Sequence, residues 1–275
     1  MDQLIKEIAE DLKMIRENKP LIHHITNFVV MNETANITLC IGALPVMAHA
    51  REEVEEMVSI AGALLLNIGT LTPELIDTMV IVGKKANELG VPVILDPVGA
   101  GATTFRTEAC RRIINEVEVS IIRGNSGEIS ILAGADGEVK GVEAVGKSGN
   151  MVGVASGFAA KGGFVVSVTG PQDIVTDGSQ VALIANGDAM MATITGTGCM
   201  STTVTAAFAA VQKDYFKAAV GALVTFGIAG ERAAGISGNR PGTFHSVLYD
   251  ALYSVTEDDI LRGAKVGFLD IMEAG

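Results

Sequence analysis

Short apolar runs, each followed by a glycine or polar turn and then by a helical segment, recur along most of this chain. The runs 63–68 and 91–95 are examples, and they end at Gly69 and at Asp96. Apolar runs that alternate with helices form parallel sheets, in which the helices cross over between neighbouring strands. The pattern therefore predicts an α/β fold with a largely parallel central sheet flanked by helices on both faces.

Polar residues follow the predicted strands at several points. Open parallel sheets bind ligands beyond the carboxyl ends of their strands, so this edge is the expected location of a binding site. The side chains that fall near predicted strand ends are Asn27, Met47, Thr70, Asp96, Arg123, Glu128 and Thr169.

No linker, internal repeat or low-complexity segment divides the 275 residues. A single domain over residues 1–275 is therefore predicted. The stretch from Tyr215 onward is expected to be entirely helical. It includes a helix start at Thr256, where Asp259 three residues later completes a capping pattern.

The formal net charge of −12 restricts the partners of the chain. Without a basic surface it is not expected to bind nucleic acid or an anionic membrane. An ATP site here would depend on Mg²⁺ and backbone amides more than on lysines. The three cysteines are odd in number and widely spaced, which is typical of a reducing compartment. No signal peptide is visible, and glycines and threonines interrupt the uncharged residues 189–212, so a soluble cytoplasmic protein is predicted.

Residues 195–199 read Thr-Gly-Thr-Gly-Cys and precede an apolar run, 200–211, that predicts a buried helix. A glycine turn at a helix start presents unpaired N–H groups and the positive end of the helix dipole to an anion. Gly196 and Gly198 would let the backbone approach such a ligand closely. Cys199 lies at the same helix start, where the pKa of a thiol is expected to fall. The alternative is an ordinary helix-entry turn, and these five residues alone leave both interpretations open.

Three roles are open to Cys199. A nucleophile would need a histidine partner, and the four histidines carry no recognisable pairing signature. As a general base for an alcohol the thiol would be poor, although it could occupy the position of a base. The third interpretation is a structural cysteine that packs as a small hydrophobe.

Asp96 and Glu128 are carboxylates that follow separate strands. A few hard oxygen ligands are what Mg²⁺ takes when phosphates and water supply the rest. The alternatives are a helix cap for Asp96 and a solvated helix face for Glu128. Arg123 could bind a phosphate through both arms of its guanidinium, or it could pair with Glu128. His23 and His24 are not expected to share a metal, because adjacent strand residues point to opposite faces.

Residues 141–148 match the P-loop pattern residue for residue. A P-loop directly follows an apolar strand, whereas here the preceding residues 134–140 form a polar loop. Glu143, inside the would-be cradle, would also repel phosphates. The match is therefore interpreted as a chance one in a surface loop.

Taken together, these motifs resemble one family, the hydroxyethylthiazole kinases of the ribokinase-like superfamily. The resemblance covers nearly the whole chain. The Thr-Gly-Thr-Gly turn that ends in cysteine separates this family from its relatives, which usually place an aspartate base there. The segments that carry the resemblance are 24–27, 29–32, 45–50, 67–70, 96–102, 122–125 with Glu128, 168–170 and 195–199.

The resemblance implies ATP-dependent phosphorylation of the primary alcohol of 4-methyl-5-(2-hydroxyethyl)thiazole in thiamine salvage. It also implies a ribokinase-like fold and a homotrimer with active sites at subunit interfaces. Cys199 would occupy the position of the catalytic base, and Gly198 would line an anion hole with Gly196. By the same resemblance Met47 and Gly196 would contact the thiazole, with Asn27 and Thr70 as further candidates, while Arg123 and Thr169 would contact ATP and Asp96 and Glu128 would organise Mg²⁺.

Three other functions are weighed against this one. Another small-alcohol kinase of the superfamily, such as a hydroxymethylpyrimidine kinase, is disfavoured by Cys199 and the segment 45–50. A thiazole sensor without turnover is disfavoured by the presence of Asp96, Glu128 and Gly198. A cysteine-dependent hydrolase or transferase would be sensitive to iodoacetamide and would need no ATP.

Overall fold

The computed structural model describes residues 1–134 and 148–269, with residues 148–150 described by their backbone alone. The strands are β1 (Leu21–Ile25), β2 (Leu44–Val46), β3 (Ala63–Asn67), β4 (Val93–Asp96), β5 (Ile121–Asn125), β6 (Val165–Thr169), β7 (Asp173–Thr176), β8 (Val181–Ile184) and β9 (Val266–Leu269). The helices are α1 (Asp2–Asn18), α2 (Met31–Ile41), α3 (Val54–Ser59), α4 (Pro73–Leu89), α5 (Thr104–Glu116), α6 (Ser126–Leu132), α7 (Ser148–Gly162), α8 (Thr197–Val211), α9 (Tyr215–Ser237), α10 (Pro241–Ser254) and α11 (Glu257–Gly263).

All nine strands of the described ranges belong to one sheet, in the order β2-β1-β3-β4-β5-β6-β7-β8-β9. Strands β1 to β6 pair in parallel, as the alternation of apolar runs and helices predicted. Strands β7, β8 and β9 extend the sheet by antiparallel pairing. The carboxyl ends of the parallel strands therefore lie along one edge of the sheet.

Helices cover both faces of this sheet, which confirms the predicted layer order. Successive strand residues alternate between the faces, so Leu65 joins one core while Leu64 and Leu66 join the other. The first core is completed by α1, α2 and α8 to α11, and the second by α3 to α7. Burial on both faces explains why the strands read as continuous apolar runs.

Local capping chemistry sets several helix boundaries near the sheet edge. Helix α4 begins with Pro73 at its first position and ends before Gly90, whose φ of +67° suits a residue without a Cβ. Helix α11 begins with the predicted capping box of Thr256 and Asp259. A second capping box, between Asn125 and Glu128, starts α6.

The expectation that everything after Tyr215 is helical is wrong. Strand β9 follows α11 and pairs with β8, with Val266 opposite Ile184. The four residues of β9 show only a weak strand pattern in the sequence. Their strand conformation depends on pairing with β8, whose residues lie about eighty positions earlier in the chain. The P-loop match at 141–148 falls, except for its last residue, outside the described residues.

The uncharged stretch 189–212 forms a 3-10 helix (Ala189–Thr193) and then α8, whose residues 200–209 are all buried. Helix α9 is long and apolar enough to cross a membrane by length and composition, but 72% of its apolar window is buried within the fold. It packs against α8 and α10 in the first core. Its apolar character is therefore explained by its position as a core helix.

Candidate active site

A cleft of about 340 Å³ lies where the carboxyl ends of the parallel strands meet the start of α8. This is the edge at which the sequence places its polar residues. Seven predicted site residues line the cleft: Asn27, Asp96, Arg123, Glu128, Gly196, Gly198 and Cys199. The remaining lining residues are Val29, Val30, Gly69, Val98, Asn125 and Thr195.

The start of α8 carries the geometry of an anion site. Gly196 is the N-cap and has a φ of +89°, and a Cβ there would lie 2.8 Å from Cγ1 of Val30. The first amide to bond back within the helix is that of Met200, to the carbonyl of Gly196 at 2.8 Å. The N–H groups of residues 197–199 precede that bond and receive no side-chain cap. They supply donors and a positive dipole end for an anion in the cleft.

Cys199 is a thiol at neutral pH. Burial, with the nearby charge of Asp96, raises the pKa of its side chain to about 12. Hydrogen bonds to its sulfur from Asn67, at 3.2 Å, and Asn27, at 3.7 Å, oppose this shift but do not overcome it. The expectation of a lowered pKa at the helix start is therefore wrong, because removing the sulfur from water outweighs the helix dipole.

Asp96 lies at the floor of the cleft and is only 1% exposed. Its Oδ2 accepts hydrogen bonds from Nδ2 of Asn67 and from Oγ1 of Thr202, both at 2.9 Å. Burial raises the pKa of this carboxyl to about 6, the charge of Glu128 adds to the rise, and the charge of Arg123 opposes it. A carboxylate held in this way is not a helix cap. It is a buried group aimed at the cleft.

Arg123 extends from β5 and is 8% exposed. Its Nη2 donates to Oγ1 of Thr169, and its Nε has no hydrogen-bond partner within the described parts of the chain. Its Nη1 lies 2.8 Å from the position that a Cβ on Gly198 would take. A buried guanidinium with a donor left unpaired beside a helix start is suited to binding a phosphate through charge-assisted hydrogen bonds.

Glu128 connects two loops at the rim of the cleft. Its Oε2 accepts from the backbone N–H of Asn125 at 2.8 Å, and its Oε1 accepts from that of Gly99 at 2.9 Å. The carboxylate thus bonds the backbone amides of Asn125, the last residue of β5, and of Gly99 in the loop after β4. A solvated helix face does not describe it.

Asp96 and Glu128 fit a magnesium ion. Both carboxylates line the cleft, and burial raises the pKa of Asp96 with a further contribution from the charge of Glu128. A divalent cation bound by both would relieve this repulsion. No group of three or more His, Cys, Asp or Glu side chains suited to a metal occurs among the residues described. A pair of carboxylates is what Mg²⁺ needs when phosphate oxygens and water complete its six ligands.

The other predicted residues lie around this centre. Oγ1 of Thr169 accepts a hydrogen bond from Arg123, and Oγ1 of Thr70 accepts one from the N–H of Phe28 at 3.0 Å. Met47 follows β2 and does not line the cleft of the single chain. Its contact with a thiazole stays a prediction.

The adjacent histidines point to opposite faces of the sheet, as expected. His23 bonds the carbonyl of Ala48 at 2.7 Å, and His24 bonds Oγ1 of Thr38 at 3.1 Å. Both are fully buried. Their role is structural.

No role in the site was predicted from the sequence for three polar residues of this region. Asn67 is the last residue of β3, and Thr202 lies one helical turn beyond Cys199; their positions in the chain were the only signal that could have identified them. Asp173 begins β7, a strand that the sequence pattern did not predict, and accepts the N–H of Gly170 at 2.9 Å. Burial raises the pKa of Asp173 to about 6, while the charge of Arg123 lowers it.

Comparison with known proteins gives consistent results. Residues 12–258 match the model of the hydroxyethylthiazole kinase family. A hydroxyethylthiazole kinase of Chloroflexus aggregans is 55% identical over 259 residues, which cover 94% of this chain and 93% of the relative. The solved structure of the hydroxyethylthiazole kinase protein from Pyrococcus horikoshii OT3 has a TM-score of 0.88 at 46% identity, and covers 96% of this chain and 99% of that chain.

A more distant likeness concerns the fold alone. The pyridoxal kinase from Staphylococcus aureus in complex with AMP-PCP has a TM-score of 0.57 at 14% identity, covering 78% of this chain and 88% of that chain. Together with the likeness to the Pyrococcus structure, it confirms the predicted ribokinase-like architecture.

Proposed function

Because this chain belongs to the hydroxyethylthiazole kinase family, we propose that it transfers the γ-phosphoryl group of ATP to the primary alcohol of 4-methyl-5-(2-hydroxyethyl)thiazole, a step of thiamine salvage. The observation that carries the proposal is the convergence of Arg123, Asp96 and the start of α8 on one cleft. Phosphoryl transfer needs little covalent chemistry from a protein and depends on positioning and charge stabilisation. The cleft provides both.

Arg123 and Thr169 are proposed to bind the phosphates of ATP. The guanidinium has donors beyond the one used on Thr169, and the helix start at residues 197–199 lies beside it, since a Cβ on Gly198 would come within 2.8 Å of Nη1. The transferring phosphoryl group would contact both sets of donors from the cleft, where Gly198 leaves no side chain in the way. Hydrogen bonds from fixed donors to the developing charge require no reorganisation during the reaction.

Asp96 and Glu128 are proposed to hold Mg²⁺, which would neutralise part of the charge of the ATP phosphates. Both carboxylates are fixed before any ligand binds, Asp96 by Asn67 and Thr202 and Glu128 by two backbone amides. An acidic protein can therefore bind a polyphosphate without a cluster of lysines. The carboxylates would bind the cation, and the cation would bind the phosphates of the nucleotide.

Cys199 is proposed to meet the alcohol oxygen of the substrate. With a thiol pKa of about 12 it is neither a thiolate nucleophile nor an efficient base at neutral pH. It has no histidine among its hydrogen-bond partners, which disfavours a cysteine-dependent hydrolase. Gly196 and Met47 are proposed to contact the thiazole ring, and Asn27 and Thr70 remain further candidates.

A homotrimer with active sites between subunits is also proposed. Val29, which lines the cleft, is 65% exposed, and its chain neighbour Phe28 is 71% exposed; a neighbouring subunit would cover both. Such exposure of large apolar side chains is a feature of interaction surfaces. Light scattering is expected to give three times the 28.5 kDa mass of one chain. Residues 1–275 are proposed to act as one domain in the cytoplasm.

The decisive experiment measures ADP formation with ATP and Mg²⁺, with and without hydroxyethylthiazole, beside hydroxymethylpyrimidine as an alternative alcohol. Thiazole-dependent ADP release with a phosphorylated thiazole as product is the expected result. Binding of thiazole without turnover would instead support a sensor. ADP release with hydroxymethylpyrimidine alone would identify a different kinase of the same fold.

A further inference from the structure

Asn67 occupies the centre of the polar network beneath the cleft. It is the last residue of β3, is 1% exposed, and pairs in parallel register with Asp96 of β4. Its side-chain amide makes four hydrogen bonds. Nδ2 donates to Oδ2 of Asp96 at 2.9 Å and to the sulfur of Cys199 at 3.2 Å, while Oδ1 accepts from Nδ2 of Asn27 at 2.8 Å and from the N–H of Gly69 at 2.9 Å.

These four contacts permit only one orientation of the amide. A primary amide has two N–H donors and one oxygen with two lone pairs, and all of this capacity is used here. Rotating the amide by 180° would place its oxygen against the carboxylate of Asp96 and its NH₂ group against two other donors. Each reversed contact would leave a buried polar group unpaired, so the network itself fixes which atom faces Cys199.

We propose that Asn67 is a positioning residue for phosphoryl transfer, whose amide fixes the sulfur of Cys199 relative to Asp96 and thereby fixes the group that meets the alcohol oxygen. The inference rests on the proposed kinase function. It assigns to Asn67 an effect on the transfer step more than on the binding of ATP. Thr202 still bonds Asp96 when Asn67 is replaced, and within the described residues Asn67 makes no hydrogen bond to Arg123 or Thr169.

The geometry explains how Asn67 acts through Cys199. The sulfur accepts N–H groups from Asn67 at the end of β3 and from Asn27 in the loop after β1, so the protein holds the thiol from more than one side. Without the amide of Asn67 the thiol would lose its shorter amide contact and could turn about its Cα–Cβ bond. A displacement of about 1 Å near the reacting atoms can lower a rate by about 10²-fold.

A double-mutant cycle tests this inference by comparing Asn67→Ala in the wild-type protein and in Cys199→Ala. With the wild-type cysteine, we expect Asn67→Ala to lower kcat by about 10- to 100-fold, with the KM for ATP changed by less than about 3-fold. In the Cys199→Ala protein, the fold-loss in kcat caused by Asn67→Ala is expected to be at least about 5 times smaller than the loss measured with cysteine present. Equal losses in the two proteins would show that Asn67 acts by supporting the fold or Asp96, and would overturn the inference.

Asn186→Ala is the matched control. Asn186 is also buried and its amide also bonds on both sides, but its partners are Glu231, Gly263 and Lys265, none of which lines the cleft. Its removal is expected to lower thermal stability and to leave the effect of Cys199→Ala on kcat unchanged.

A second variant covers the case in which Asn67→Ala does not fold. Asn67→Asp keeps the shape of the side chain and the oxygen that accepts from Asn27 and Gly69. It replaces the NH₂ group by a carboxyl oxygen, so the two N–H donors to Asp96 and Cys199 are lost and a second acid faces Asp96. It is expected to lower kcat and to show the same dependence on Cys199. If the wild-type protein shows no thiazole-dependent ADP release, both the proposed function and this inference are contradicted. If the wild type is active but the effects of the Asn67 and Cys199 substitutions are additive, only the inference is contradicted.

Discussion

Gly198 of α8 lies directly against the guanidinium of Arg123, and a Cβ at position 198 would come within 2.8 Å of Nη1. The contact places the start of α8, the proposed anion site, beside the buried guanidinium in the same cleft. No side chain separates the two groups, so a phosphate can reach both.

Gly198→Ala is expected to lower kcat/KM for ATP by about 10-fold or more without reducing stability. The added methyl group must displace the end of the Arg123 side chain, which can move, while alanine in a helix is favoured over glycine by about 0.5–1 kcal/mol. Steady-state kinetics and a thermal unfolding curve check the two halves of the prediction. Gly157→Ala in α7 is the control, since a Cβ at Gly157 would meet nothing within 4 Å. Unchanged kinetics for Gly198→Ala would show that the close approach is not needed.

Cys199→Asp is expected to raise kcat. A carboxyl group at this position accepts a proton at neutral pH far better than a thiol with a pKa of about 12. A positioned general base contributes about 10²–10⁴-fold, and the neighbouring charge of Asp96 should hold the gain near or below the lower end of that range.

Cys199→Ser should keep much of the activity, because serine places a hydroxyl where the thiol was and the amides at the start of α8 remain. Cys40→Ser, on a half-buried cysteine of α2 that does not line the cleft, is the control for loss of a thiol elsewhere. An aspartate variant that folds normally and turns over no faster than wild type would contradict the assignment of Cys199 to the base position.

Arg123→Lys is expected to raise the KM for ATP and to lower kcat, with a combined loss of about 10²-fold. Lysine keeps the charge but loses the planar fork that contacts Thr169 and the cleft at the same time. Kinetics at saturating thiazole would measure the effect. Arg111→Lys, whose arginine forms an exposed ion pair with Glu108, should leave both constants unchanged. A loss confined to thiazole binding would assign Arg123 to the other substrate.

Asp173→Asn is expected to stabilise the protein at neutral pH. Burial raises the pKa of Asp173 from 3.8 to about 6, so the folded protein holds this proton more tightly than the unfolded chain does. The free energy of unfolding therefore falls as the pH rises through this window, and the loss persists above it. Asparagine has no such titration and can still accept the N–H of Gly170. A gain of about 1–3 kcal/mol in urea unfolding at about pH 8 is expected, with little gain at about pH 4.

Asp177→Asn is a control for which the opposite change in stability is expected. Burial opposes ionisation of Asp177, but hydrogen bonds from Gln180 and Ser179 outweigh it and lower the pKa of the carboxyl. Its contribution to stability is present at neutral pH and is lost as the pH falls through the lowered pKa. The asparagine variant should therefore be less stable than wild type at neutral pH. If the stability of wild type and of Asp173→Asn depends on pH in the same way, the raised pKa assigned to the Asp173 carboxyl is contradicted.

The sequence by itself determined the layered α/β fold and the edge of the sheet where the cleft lies. Short apolar runs that alternate with helices favour the strands of a sheet covered on both faces, and glycines and capping residues mark where many of the elements begin or end. The polar residues at those ends, Asp96, Arg123 and Glu128 among them, were predictable because strand ends in such a sheet share one edge. These signals are local in the chain, or follow from a single general rule of topology.

Only the tertiary structure decided the ionisation of Cys199, the role of Asn67 and the antiparallel strands β7 to β9. The helix start predicted a lowered thiol pKa, but burial and the charge of Asp96 raised it against the hydrogen bonds from Asn67 and Asn27, and these contacts join residues up to 172 positions apart. Strand β9 likewise needs the edge of β8 as its partner. Desolvation and strand pairing depend on which distant groups surround an atom, and a pattern along the chain does not contain that information.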